Sequence, residues 1–481
     1  MPDVAVVGAG PNGLAAAAVM ARAGLSVEVF EAAETIGGGT RTAELMQPGH
    51  LHDICSAVHP MALASPFFQA FELARRIELV VPELAFGSPL DGGRAALGYH
   101  SLERTVEGLG RDGAAYRRLL GPLVSRIDGV MELTQHQLLR LPRKPLAAAL
   151  FGIRTLEQGS PLWNARFREP LAPALLSGVA AHAISQLPSL AAAGAGLMLT
   201  ALAHAQGWPI PLGGSAAIAA ALADDIRAHG GVIHTGEPID GLEQLRGARA
   251  TLLDVAPQGL LNIAGGRLPG KYRTALESFR YGNGSCKVDF ILSGPVPWAA
   301  KELADAGTVH VGGTRAEVAQ AENEVSAGKY PERPYVLVAQ PSRFDASRAP
   351  AGRHILWAYC HVPAGSTRDM GEAVTAQLER FAPGFRDVVV QTHVTTAAGL
   401  ASYNRNYVGG DFSAGIMDMR GLLQRPVVSP VPWRTPLPGV YLCSSSTPPG
   451  PGVTGMPGFF AAKYALKDIF GRTVPALGLQ T

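Results

Sequence analysis

A glycine-rich turn between a strand-like run and a helix-like run stands near each end of this 481-residue chain, and that pairing limits its folds more than any other feature. The first is DVAVVGAGPNGLAAAAVMARAG, in which Gly8, Gly10 and Gly13 spell G-x-G-x-x-G between the β-branched run Val4–Val7 and an Ala-rich stretch. Gly8 permits the bend, Gly10 lets backbone approach a pyrophosphate, and Gly13 lets helix and strand pack closely. Amides at the helix start, at Asn12 and its neighbours, then face the phosphates with the positive end of the helix dipole behind them. Gly24 is placed to end the helix. A second strand over Leu25–Phe30 ends in Glu31, 23 positions after Gly8, where a carboxylate accepts hydrogen bonds from a ribose diol. These parts in register predict an α/β fold: a Rossmann-type domain with a doubly wound parallel sheet. Glu31 would repel a 2′-phosphate, which disfavours NADP; NAD and FAD share the adenosine, and this turn does not separate them.

The second turn does. It reads GVYLCSSSTPPGPGVTGMPGFFAAKYAL, with Gly450, Gly452 and Gly455. Only about 25 residues follow, a helix over 459–470 and a tail, too few for a second strand with its own ribose-binding acid. Both ends of the chain therefore converge on one dinucleotide, as in many proteins that hold FAD. The expected role of Gly452, Val453, Thr454 and Gly455 is to set a helix N-terminus at the flavin ring, where its dipole stabilises negative charge on the reduced form.

Three segments carry a family likeness. AAETIGGGTRT resembles the G-G-x-x-R-[ST] element of flavin amine oxidases and phytoene desaturases, which implies that Gly38, Gly39, Thr40 and Arg41 bear on pyrophosphate and flavin. LCSSSTPPGPGVTGMPG resembles the phytoene-desaturase signature, and GWPIPLGGSAAIAAALADDI resembles that family's mid-chain element. Over its whole length the chain resembles the phytoene-dehydrogenase-related flavoproteins. It also departs from them. Ser445 stands where many such proteins place an aspartate near the ribitol, and Pro448 replaces a histidine. The short stretch GEPIDGLEQLRGARATLLDVAP leaves the family's β-meander reduced or lost.

Segments 1–65, 205–265 and 425–475 carry the FAD-domain signals. Interleaved with them, 66–204 is mainly helical in pattern and 270–424 mixes strands and helices, together an α+β substrate domain. Strand candidates there are Lys287–Leu292, Tyr335–Gln340 and His354–Val362. Charged residues are 17% of the chain, against about 25% in ordinary domains, and 47% are hydrophobic. A net charge of +2 gives no electrostatic case for nucleic acid. Cys55, Cys286, Cys360 and Cys443 form no C-x-x-C pair, which argues against disulfide scaffolding and dithiol chemistry. His50, His52 and His59 lack the spacing of a metal site, and no metal is expected. A first strand starting by Asp3 leaves no room for a signal peptide, so a cytoplasmic setting is expected.

From Pro170 through Ala223 there is no Asp, Glu, Lys or Arg. Pro188, Gly194 and Gly196 interrupt this stretch, so a buried helix lining an apolar pocket is favoured over a membrane span, with contact to a membrane surface left open. A hydrophobic small-molecule substrate follows, with dioxygen or a quinone as the opposite electron partner. HLHDICSAVHPMALASPFF, after the arginine motif, should run beside the flavin, making His59 and Asp53 the candidate proton-handling groups; Tyr403 is a further pocket candidate. The expected activity is dehydrogenation, saturation or isomerisation by hydride exchange with flavin N5. A flavin amine oxidase and a non-catalytic flavin scaffold are the alternatives.

Overall fold

The computed structural model describes residues 2–479. Val4–Val7, wholly buried, is the middle strand of a five-stranded parallel sheet. Across the sheet the order is Val440–Leu442, Ala250–Leu253, Val4–Val7, Val27–Phe30, Val232–His234. Counted along the chain that is 5-4-1-2-3, the first five strands of the doubly wound order 3-2-1-4-5-6 read from the other edge. The central strands are short apolar runs, as suits a parallel sheet covered on both faces. The helix Pro11–Arg22 packs against Met456–Ala465 and Ala216–Ala228. The first of these contacts is backbone-close: a Cβ on Gly458 would lie 1.9 Å from the Asn12 carbonyl oxygen. Between Val232–His234 and Ala250–Leu253 there is one 3-10 turn, Leu242–Leu245, and no strand, so the meander is absent.

The second body is a seven-stranded mixed sheet. Its order is Val389–Thr395, Gly284–Leu292, His354–Val362, Val336–Ala339, Ala306–Val311, Leu84–Leu90, Arg94–Tyr99. All neighbours are antiparallel except Ala306–Val311 with Leu84–Leu90. The segment 66–204 is mainly helical, as expected, and the last two strands are a hairpin within it that the pattern did not mark. They form a hairpin about Asp91-Gly92-Gly93, where both glycines have positive φ (79° and 71°). Asp-Gly between apolar runs is a hairpin signal, outweighed here by Gly87, Pro89 and Gly98 within the strands.

The charge-free stretch forms the helices Leu171–Ala180 and Leu190–Ala205, largely buried over the second sheet. The latter has 16 residues, and among the described residues no helix is long and apolar enough to cross a membrane.

Candidate active site

A single cavity of about 1010 Å³ runs from the first glycine turn into the space between the seven-stranded sheet and its helices. Gly8, Gly10, Asn12, Gly38 and Gly39 wall its first end. The N–H groups of Gly10, Asn12, Gly38 and Gly39 have no protein acceptor among the described residues, and the Asn12 side-chain oxygen is buried without a partner. Four unpaired amides on the cavity wall, three of them from glycines, fit a pyrophosphate. Glu31 lies beside them. Its carboxylate accepts from Ala9 N (2.8 Å), Ala33 N (2.9 Å) and Arg41 Nη2 (3.1 Å), which leaves one of its about four lone-pair positions for a ribose hydroxyl. The residues present therefore fit an adenine dinucleotide.

Arg41 lies on the cavity wall. Its guanidinium is held by Glu31 and the Thr35 carbonyl, and lies 5.4 Å from the centre of the Tyr403 ring. Tyr403 thus lines the cavity at the dinucleotide end. Thr40 and Gly13 are off the wall; Thr40 Oγ1 donates to the Gly37 carbonyl, and Gly13 N–H donates to Asp254 Oδ2 over 2.9 Å. At the C-terminal turn, Pro451, Gly452 and Val453 reach the cavity, as does Ser445, whose hydroxyl accepts from Asn12 Nδ2 at 3.2 Å. Thr454 and Gly455 do not, contrary to expectation: the Thr454 carbonyl accepts from Ser65 Oγ, and a Cβ on Gly455 would meet Phe67 at 2.4 Å.

Asp254 was not singled out by the sequence reading. It follows the strand Ala250–Leu253, at the carboxyl end where parallel sheets place ligands. A Cβ on Gly10 would come within 2.8 Å of its Oδ2. Burial pushes its pKa up to about 7, against the Gly13 hydrogen bond and with the Glu31 charge adding to the rise. A carboxyl whose folded pKa lies above the unfolded value of 3.8 contributes stability fully present below 3.8 and lost as pH rises through about 7. Thermal unfolding from pH 5 to 8 is expected to show the wild type falling steadily relative to Asp254→Asn. Parallel curves would refute that protonation state.

Farther in, the wall becomes apolar: Phe151, Leu199, Trp208, Leu337, Trp357 and Phe412 line it. The helix Leu190–Ala205 supplies part of this arm. Carboxylates occur on the wall only as Glu31, Asp240 and Asp254, all at the dinucleotide end. His182 also lines the cavity, with Nε2 2.9 Å from His310 Nε2. Burial lowers His182 to about 3 and His310 well below its usual value, so this pair is neutral. Behind Trp357, the buried Lys287 is ion-paired with Asp289, its ammonium 5.5 Å from the indole centre.

His59 lies on the wall. Ser215 Oγ spends its proton on the Ser56 carbonyl (2.6 Å), so His59 Nε2 donates to Ser215 Oγ (2.7 Å) and Nδ1 holds the lone pair. Burial lowers His59 to about 4, which makes it a weak base at neutral pH. Asp53 corrects the expectation of a second proton-handling group. It is off the cavity wall, ion-paired with Arg348 at 2.7 Å, and accepts from Thr42 Oγ1 and Ser215 N. Its carboxylate fixes the strand pair Thr42–Glu44 and Leu51–Asp53 to the mid-chain turn; it is structural.

Residues 6–76 match the model of the NAD(P)-binding Rossmann-like domain. Pyridine nucleotide-disulfide oxidoreductase domain-containing protein 2 of Rattus norvegicus is 24% identical, with 97% of this chain and 94% of the rat protein aligned. Among solved structures, an oxidoreductase from Methanosarcina mazei superposes with a TM-score of 0.62 at 16% identity, covering 97% of this chain and 100% of that one. A triple mutant of putrescine oxidase gives 0.61 at 17%, covering 98% and 99%. The chain shares its fold with these two proteins. Cyclohexylamine oxidase from Brevibacterium oxydans shares it too, with a TM-score of 0.59 at 17% identity over 98% of this chain and 100% of that one. Within this fold, the first glycine turn, Glu31 and the C-terminal turn occupy one end of the cavity and the sheet-backed arm the other.

Proposed function

We propose that this chain is an FAD-dependent oxidoreductase that exchanges a hydride with a C–H or saturable bond of an apolar, uncharged substrate. FAD, when bound, supplies the hydride acceptor or donor. The chain's own residues do the rest. The unpaired amides and Glu31 hold the dinucleotide, and Ser445 through Val453 close its other side. Phe151, Leu199 and Trp208 exclude water and orient the substrate.

The observation that carries this reading is the chemistry of the arm. Its walls are apolar, its histidines are neutral, and its carboxylates are confined to the dinucleotide end. An ammonium group would lose its hydration there without gaining a counter-charge. The second reading, an amine oxidase, is favoured by the aromatic wall of Trp357, Tyr359 and Phe412, which offers ring faces to a cation.

The purified chain is expected to release FAD and not FMN. Under anaerobic stopped flow, NADH and NADPH are expected to be poor reductants, because no second dinucleotide unit occurs among the described residues; dioxygen or a quinone is the expected acceptor. Reduction of the flavin by long-chain unsaturated compounds but not by primary or secondary amines supports the proposal. Rapid saturable reduction by amines transfers the assignment to the second reading. A flavin that cycles with no donor or acceptor supports the scaffold alternative.

A further inference from the structure

The charge-free segment 170–223 is largely buried, as favoured from the sequence, and the exposed apolar surface lies elsewhere. Leu139 and Leu141 stand 53% and 91% exposed on the loop before the helix Pro145–Gln158. That helix is apolar on two sides. Ala147 and Phe151 face inward, while Leu146, Ile153 and Leu156, spaced by seven and three along one stripe, are 57–61% exposed. The helix Met419–Leu423 adds exposed Met419 and Leu423, and Val428 is 70% exposed. Gln137 Nε2 donates to the Pro430 carbonyl, tying the loop and the 425–430 segment together. Scattered exposed leucines need no explanation; a contiguous set on adjoining segments does.

This surface is also the rim of the cavity. Leu138, Leu156 and Met419 line the cavity and are themselves exposed, and Leu422 lines it beside them. Cations are interleaved with the leucines. Arg143 and Arg420 form no ion pair among the described residues, and Lys144 has only a 3.8 Å contact with exposed Asp128. An apolar patch with basic side chains among it, opening into an apolar cavity, matches the surface of an anionic bilayer, with leucines in the acyl boundary and cations at the headgroups.

We propose that the loop 137–144, the outer stripe of Pro145–Gln158 and the Met419–Leu423 helix dock this protein on an anionic lipid surface, so that the cavity mouth opens onto the bilayer. The proposal stands on the surface and the mouth, independently of which compound is oxidised or reduced.

The test is flotation of the flavin-loaded full chain with phosphatidylcholine vesicles, with and without phosphatidylglycerol. The wild type is expected to float with the anionic vesicles, with affinity falling about tenfold when phosphatidylglycerol is omitted or salt is raised. The variant Leu139→Asp/Leu141→Asp/Ile153→Asp is expected to lose at least about tenfold in vesicle affinity while keeping its flavin and melting temperature, since all three residues are exposed. Arg143→Gln/Lys144→Gln/Arg420→Gln should lose only the preference for anionic lipid. Wild type that stays at the bottom of the gradient, or an aspartate variant that floats equally well, would overturn the proposal. So would a wild-type dimer that the aspartate variant converts to monomer in sedimentation, because the patch would then belong to a second copy. Docking without reduction by apolar compounds would leave this proposal standing and remove the proposed function; the reverse result would do the opposite.

Discussion

Gly13→Val is expected to purify nearly free of flavin. A Cβ at position 13 would sit 2.0 Å from the Gly8 carbonyl oxygen and 3.1 Å from the Asp254 Cβ. The first is backbone and cannot turn away. The first helix must withdraw from its strand, and the amides of Gly10 and Asn12 then no longer converge with those of Gly38 and Gly39. Hydrogen bonds to a charged group contribute about 1.5–3 kcal/mol each, so losing two weakens cofactor binding by roughly 10²-fold or more. Gly10→Val is milder, since the nearest atom to its Cβ, Asp254 Oδ2 at 2.8 Å, belongs to a side chain. The ratio of flavin to protein absorbance, with released FAD quantified by chromatography, measures both. A Gly13→Val protein with full flavin would show that the turn is not the cofactor site.

Arg348→Met separates stability from chemistry. Arg348 and Asp53 are fully buried, and their 2.7 Å pair is joined by Arg348 Nε to the Leu51 carbonyl. Removing the cation leaves a carboxylate without its counter-charge in the interior, which costs about 3–5 kcal/mol. A large fall in melting temperature is expected, while flavin reduction per bound flavin stays near the wild-type rate, because neither residue touches the cavity. Asp53→Asn/Arg348→Met should recover part of the loss, since no uncompensated charge remains. If reduction collapses with little change in stability, Asp53 is a reacting group after all.

What the sequence discloses follows from how local each cause is. The Rossmann order was legible because strand, glycines, helix and Glu31 are neighbours in the chain, and each glycine answers a steric demand of its own turn. The strands Gly284–Leu292, Val336–Ala339 and His354–Val362 were legible from β-branched and aromatic runs. The hairpin Leu84–Tyr99 was hidden because its strands carry Gly87, Pro89 and Gly98, tolerated only through packing against Leu303, Ala306 and Phe86. Asp53 and Asp254 exchanged significance for the same reason. One is neutralised by an arginine 295 positions away, and the other is brought against Gly13 from 241 positions away. No local pattern records either meeting. His59 is intermediate: its place beside the cavity follows from the arginine motif, but its low basicity depends on burial, which outweighs the Asp53 charge.

The backbone-close seam between Asn12 and Gly458 has a consequence for how the protein is made. The central strand Val4–Val7 is made before the seven-stranded body, and the outer strand Val440–Leu442 and its following helix are made after it. The first helix, with Leu14 to Ala18 wholly inaccessible in the finished molecule, therefore waits with one flank uncovered until that later helix is made. Contacts of such sequence separation are slow to form, and chains paused before position 440 present an apolar helix and an unpaired strand edge to their surroundings. Cofactor capture, which needs both turns, therefore waits until the second turn has been made.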